Sequence, residues 1–99
     1  MVGIDNQYKE QIQEDIDILE EVENMCKLIV WNDEVNSFEW VIKTLMVVCG
    51  HTPEQAEQCA MIIHSSGKYA VKEGSYEELK PMREAITDRG IGATIDCGE

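Results

Sequence analysis

The spacing of apolar residues along the 99-residue chain changes period several times, and each change marks an element. Lys27-Leu28-Ile29-Val30-Trp31 is a β-branched and aromatic run too short for a helix, and it predicts a strand. Asn32-Asp33-Glu34-Val35-Asn36 stops that run with turn-forming side chains. Phe38, Val41, Ile42, Leu45 and Cys49 then recur at helical spacing up to Gly50, with Asn36 as the candidate N-cap and Glu39 three residues on. Thr52-Pro53-Glu54-Gln55 joins a capping Thr, a Pro at the first helical position and a capping-box Gln. It starts a second helix whose inner face is Ala56, Cys59, Ala60 and Ile63. Ser65-Ser66-Gly67 predicts that this helix ends near His64.

Lys68 to Lys72, with Tyr69 and Val71 alternating, predicts a second strand closed by Gly74-Ser75. Ser75 and Glu78 repeat the capping pattern ahead of Tyr76, Leu79, Met82 and Ile86, and Gly90 follows the last turn. Ile91, Ala93, Ile95 and Cys97 alternate with Gly92, Thr94 and Asp96 as a half-buried strand. The order β-α-α-β-α-β predicts one α+β domain over residues 25–97, with a three-stranded sheet covered on one face by three helices.

Residues 1–24 read differently. Asp5, Glu10, Glu14, Asp15, Asp17, Glu20, Glu21 and Glu23 stand against Lys9 alone, and no Trp or Phe anchors the segment, so it predicts an acidic, flexible tail. Tyr8, Ile12, Ile16 and Leu19 fall at helical spacing, which leaves two readings open: an amphipathic helix formed against a partner, or a solvated leader.

Composition removes several function classes. The 20 acidic against 8 basic residues give a formal charge of -12, which repels nucleic acid phosphates and anionic membrane surfaces. There is no run of eighteen apolar residues and no basic, apolar leader at Met1 to Glu10, so a cytoplasmic chain is expected. A chain this small buries only about 60–65% of its unfolded surface, which argues against a large internal active-site cavity. Cys26, Cys49, Cys59 and Cys97 are widely spaced and three interrupt apolar runs, predicting reduced, buried thiols rather than a disulfide framework.

Catalytic chemistry finds little support. Neither Cys49-Gly50-His51 nor Cys59 with His64 matches a nucleophile or zinc spacing, and Gly90-Ile91-Gly92 precedes a strand instead of following one. The chain is expected not to be an enzyme, with no metal and no cofactor. A more informative cluster is Asn32-Asp33-Glu34, just past a strand, with His64 at the end of a later helix, since all four can converge on one rim. From spacing alone, an ordinary role stands ahead of a binding role: Asn and Asp satisfy loop amides and His complements a helix dipole.

The run from Val30 to Val41, VWNDEVNSFEWV, followed some twenty residues later by Ile63-His64-Ser65-Ser66-Gly67-Lys68, resembles the ClpS adaptor family. The shared pattern is an Asn-Asp-acidic turn, an aromatic-Val helix and a His-x-x-Gly-Lys segment, spanning about Lys27 to Ile95. Ser37 stands where the family commonly has Pro, Glu34 where Asp is frequent, and Phe38 where Met often guards the pocket.

The resemblance implies an adaptor that grips the first residue of a substrate protein, an N-degron, and hands it to a Clp-type AAA+ unfoldase and its peptidase. Asn32, Asp33 and His64 would then accept from the substrate's α-ammonium, with His64 acting through a neutral ring nitrogen. The implied side-chain pocket involves Phe38, Val41, Ile63, Ala60, Glu34 and Asn36, with Val41 and Ile63 as walls and Phe38 near the mouth. The expected ligands are N-terminal Leu, Phe, Tyr and Trp. A contrasting reading needs only the acidic surface: a small interaction domain docking a basic partner without N-terminal specificity.

Overall fold

The computed structural model describes residues 25–98. The expectations for residues 1–24 lie outside them. The described chain runs β1 (Cys26–Trp31), α1 (Phe38–Cys49), α2 (Pro53–Ser66), β2 (Lys68–Gly74), α3 (Tyr76–Asp88) and β3 (Ala93–Asp96). The strands form one antiparallel sheet in the order β2-β1-β3. This is the α+β architecture expected from the sequence.

Alternation in β1 decides where the helices lie. Cys26, Leu28 and Val30 are buried while Lys27 and Trp31 are exposed, so one face of the central strand carries the core. Against it pack Leu45 and Cys49 of α1, Ala56 and Ile63 of α2, and Leu79 and Ile86 of α3. Full burial of each large aliphatic contributes about 1.5–3 kcal/mol. On the open face the Trp31 indole donates to Thr94 Oγ1 at 2.9 Å and lies under the Lys68 ammonium. The β1–β2 register shifts between Leu28, opposite Lys72, and Ile29, opposite Ala70. Val71 is therefore the extra residue of a bulge, and it is buried.

Three boundaries differ from the pattern-based expectation. The N-cap of α1 is Ser37, whose Oγ accepts from the Trp40 amide at 3.1 Å, and Asn36 does not cap the helix. α2 continues past His64 to Ser66, because Ser65 returns its hydroxyl to the Ile62 carbonyl and the stop comes only at Gly67, with φ +92°. β3 is limited to four residues, with Ile91 buried ahead of it and Cys97 just beyond.

The expectation of four reduced thiols is also corrected: Cys26 and Cys97 form a disulfide, and Cys49 and Cys59 remain free. Register is the reason, because Lys27 faces Asp96, and one step outward on each strand brings Cys26 and Cys97 together with their Cα atoms 4.1 Å apart. A link across 71 residues of sequence removes much of the unfolded chain's freedom. We expect the denatured chain to expose two thiols without reductant and four with it, and Cys97→Ser to lower the unfolding free energy by about 2–4 kcal/mol in a denaturant titration.

Candidate functional site

The site is built where β1 ends. The Trp31 amide donates to Gly92 O at 2.9 Å and the Asn32 amide to Gly67 O at 2.8 Å, so the strand's exit is fastened on both flanks. The second bond sets Asn32 beside the residue that terminates α2. Gly67 adopts a left-handed conformation there and returns its own amide to Ile63 O, leaving His64 exposed in the last helical turn. A short turn then carries the chain into α1. Asp33 Oδ1 accepts from the Val35 amide at 2.9 Å, an Asx turn, and Asp33 O accepts from the Asn36 amide at 3.3 Å.

Between this turn, α1 and α2 opens a surface cleft of about 230 Å³. Asn32, Asp33, Glu34 and Asn36 line it from the turn, Phe38 and Val41 from the start of α1, and Ala60, Ile63 and His64 from α2. All nine residues singled out from the sequence thus border one cavity. Its floor and walls are apolar: Ala60 and Ile63 are buried, Val41 is half-buried, and Phe38 remains 38% exposed at the mouth. The rim is polar, with the carboxylates of Asp33 and Glu34, the amide of Asn32 and the imidazole of His64 all exposed. Acceptors at the rim above an apolar hollow suit a ligand with a donor group at one end and a hydrocarbon body.

Asn36 does more than border the cavity. Its side-chain nitrogen donates to Gly90 O at 2.9 Å and approaches Asp33 Oδ2 at 3.4 Å. Sequence reading missed the residues behind it: the Trp40 indole donates to Arg89 O at 3.0 Å, and the Arg89 guanidinium stacks over the Trp40 ring. These contacts join positions 49 and 54 residues apart, beyond the reach of any local spacing rule.

A family model described as "ATP-dependent Clp protease adaptor protein ClpS" matches residues 21–95. The chain belongs to the ClpS family. It is 30% identical over 86 residues to the ClpS of Corynebacterium aurimucosum, covering 87% of this chain and 76% of that protein. With the ClpS of Streptomyces coelicolor it shares 31% identity over 67 residues, 68% of this chain and 70% of the relative. It spans 64% of the ClpS of Corynebacterium diphtheriae, at 28% identity over 74 residues, 75% of this chain. The solved structure of Agrobacterium tumefaciens ClpS2, bound to L-phenylalaninamide, superposes with a TM-score of 0.72. The match covers 75% of this chain and 96% of that one at 19% identity, and so speaks for the fold.

As a ClpS protein, the chain is an adaptor of the Clp protease. Burial works against ionisation of both free thiols. Burial pushes the Cys49 thiol up to about 11, against a smaller opposing pull from the Lys72 ammonium, and burial also raises Cys59. Among the described residues no three of His, Cys, Asp and Glu are grouped to hold a metal ion, and no helix is long and apolar enough to cross a membrane.

Proposed function

We propose that this ClpS adaptor binds the free N-terminal residue of substrate proteins in the cleft and delivers them to a Clp AAA+ unfoldase and its peptidase. The observation that carries the reading is the continuity of one cleft from a rim of acceptors, Asn32, Asp33 and His64, to a hollow walled by Val41 and Ile63. The ligand in A. tumefaciens ClpS2 supplies a chemical analogy, since L-phenylalaninamide carries an α-amino group beside an aromatic side chain.

An N-terminal ammonium offers three donors and a positive charge, whereas an internal peptide nitrogen offers one donor and none. Asn32 contributes a side-chain carbonyl, Asp33 a carboxylate and His64 a neutral ring nitrogen. Hydrogen bonds to a charged group contribute about 1.5–3 kcal/mol each, so the three together outweigh the apolar term for one buried side chain of about the same size. N-acetylation of a Leu-starting peptide, which deletes the charge and two donors, is therefore expected to abolish measurable binding, and Asp33→Ala to weaken the free peptide at least about tenfold, or 1.4 kcal/mol. Superimposable titrations for free and acetylated peptides would sink the ammonium reading and favour an acidic surface that docks basic partners by charge.

Below the rim, Val41 sets the width. A β-branched first residue brings a second substituent at Cβ against this wall, so unbranched or aromatic side chains, those of Leu, Phe, Tyr and Trp, are favoured. Val41→Ala removes two methyl groups and is expected to narrow the Leu-to-Ile affinity ratio severalfold, measured by competition with fluorescent peptides. An unchanged ratio would return Val41 to a purely packing role.

Binding and delivery are separable in this reading. Asn32, Asp33, Val41 and His64 all lie outside residues 1–24, whose eight acids and single base distinguish them from the rest of the chain. A chain starting at Met25 is expected to keep peptide affinity within about twofold of the full chain. It should fail to support ATP-dependent degradation of a Leu-starting substrate by the partner protease. Parallel loss of both activities would place the segment in the binding site, and retention of both would remove it from the mechanism.

A further inference from the structure

Asp33 is held from two directions, and only one of them is local. Its Oδ1 takes the Val35 amide at 2.9 Å within the turn itself. Its Oδ2 faces the Asn36 side-chain nitrogen at 3.4 Å, and that nitrogen, which has two protons to give, spends the other on Gly90 O at 2.9 Å. Gly90 belongs to the turn between α3 and β3, where its φ of +85° is a conformation that favours glycine. The carbonyl before it, of Arg89, accepts from the Trp40 indole at 3.0 Å. The Arg89 side chain then folds back over the Trp40 ring, 5.1 Å to its centroid, and reaches the buried Thr44 hydroxyl at 3.5 Å. Trp40, Thr44, Arg89 and Gly90 do not line the cleft.

We propose that the Arg89–Gly90 turn is a positioning element for recognition of the substrate's first residue, a role that rests on the ammonium reading given above. Clamped by Trp40 and Arg89, Gly90 O fixes the Asn36 amide, and Asn36 fixes the Asp33 carboxylate. The torsion that turns a carboxylate about its own axis is broad and soft. One bond at Oδ1 leaves Oδ2 free to swing, whereas a second at Oδ2 sets the plane of the group. Each oxygen then retains a lone pair for an incoming donor. Trp40 and Arg89 act through Asn36 and touch no ligand.

The test is a double-mutant cycle in the full-length chain, read as Kd for a Leu-starting peptide. Trp40→Phe removes the indole donor and keeps an aromatic ring; Asn36→Ala removes the amide and serves independently if the first variant does not fold. Each is expected to weaken binding at least about threefold with Asp33 present and less than about 1.5-fold once Asp33 is Ala. With Trp40→Phe the Leu-to-Ala preference at the first residue stays at its wild-type ratio, because Trp40 does not line the cleft; a merely destabilised domain would lose affinity equally in both backgrounds. Equal losses with and without Asp33, or no loss in either, would overturn the proposal. Failure of the ammonium reading itself is distinguishable, because the unmutated chain would then bind free and acetylated peptides alike.

Discussion

Two backbone hydrogen bonds at the end of β1 govern the rest of the site. Successive amides of a central strand point to opposite neighbours, so the Trp31 amide reaches Gly92 on the β3 side and the Asn32 amide reaches Gly67 on the β2 side. The first sets the depth at which the strand stops, and the second ties that stop to the end of α2. Asn32, Asp33 and His64 come from segments more than thirty residues apart, yet the spacing of their main chains depends on this one junction. A ligand with several donors on a single nitrogen demands such rigidity, since acceptors on a loose loop would have to be ordered at the moment of binding.

The turn that follows solves a conflict between two demands on one carboxylate. Asp33 satisfies the amide of Val35 in its own turn, and in the proposed function it must also keep acceptor capacity for the ligand's ammonium. With Val35 at Oδ1 and Asn36 at Oδ2, the protein occupies one position on each oxygen. Val35, which does not line the cleft, is free of that duty and is 88% exposed at the tip. The polar rim is thus drawn from this turn and His64, while the apolar hollow comes from α1 and α2, a compact arrangement for a domain with little interior to spare.

What the sequence made legible was local. Strand and helix types follow from period, and the Thr52–Gln55 capping box is realised in both directions, at 3.1 and 3.0 Å. Asn36 and Ser37 are both good caps side by side, and local propensity cannot choose between them. Gly90, distant in the chain, recruits the Asn36 amide and leaves Ser37 to cap α1. The Cys26–Cys97 bond was hidden for a related reason: apolar alternation marks a strand without saying which residue faces which across the sheet. As for the cleft, the turn was visible as a polar stop after a strand, but its partnership with His64 came from resemblance to ClpS proteins; spacing alone favoured two unrelated local roles. Trp40 entered only as part of the aromatic-Val pattern of the family resemblance, and its contact with Arg89, 49 residues away, gave no signal.

The disulfide has a geometric consequence. It makes residues 26–97 a closed covalent ring whose two leads, Met25 and Gly98, depart from one pole of the domain. The cleft lies at the opposite pole, beyond the far end of β1, about 17 Å away for a six-residue strand. Both leads are therefore attached at the end of the sheet away from the cleft. In the proposed function, a partner that anchors at that pole can hold the adaptor without covering the cleft.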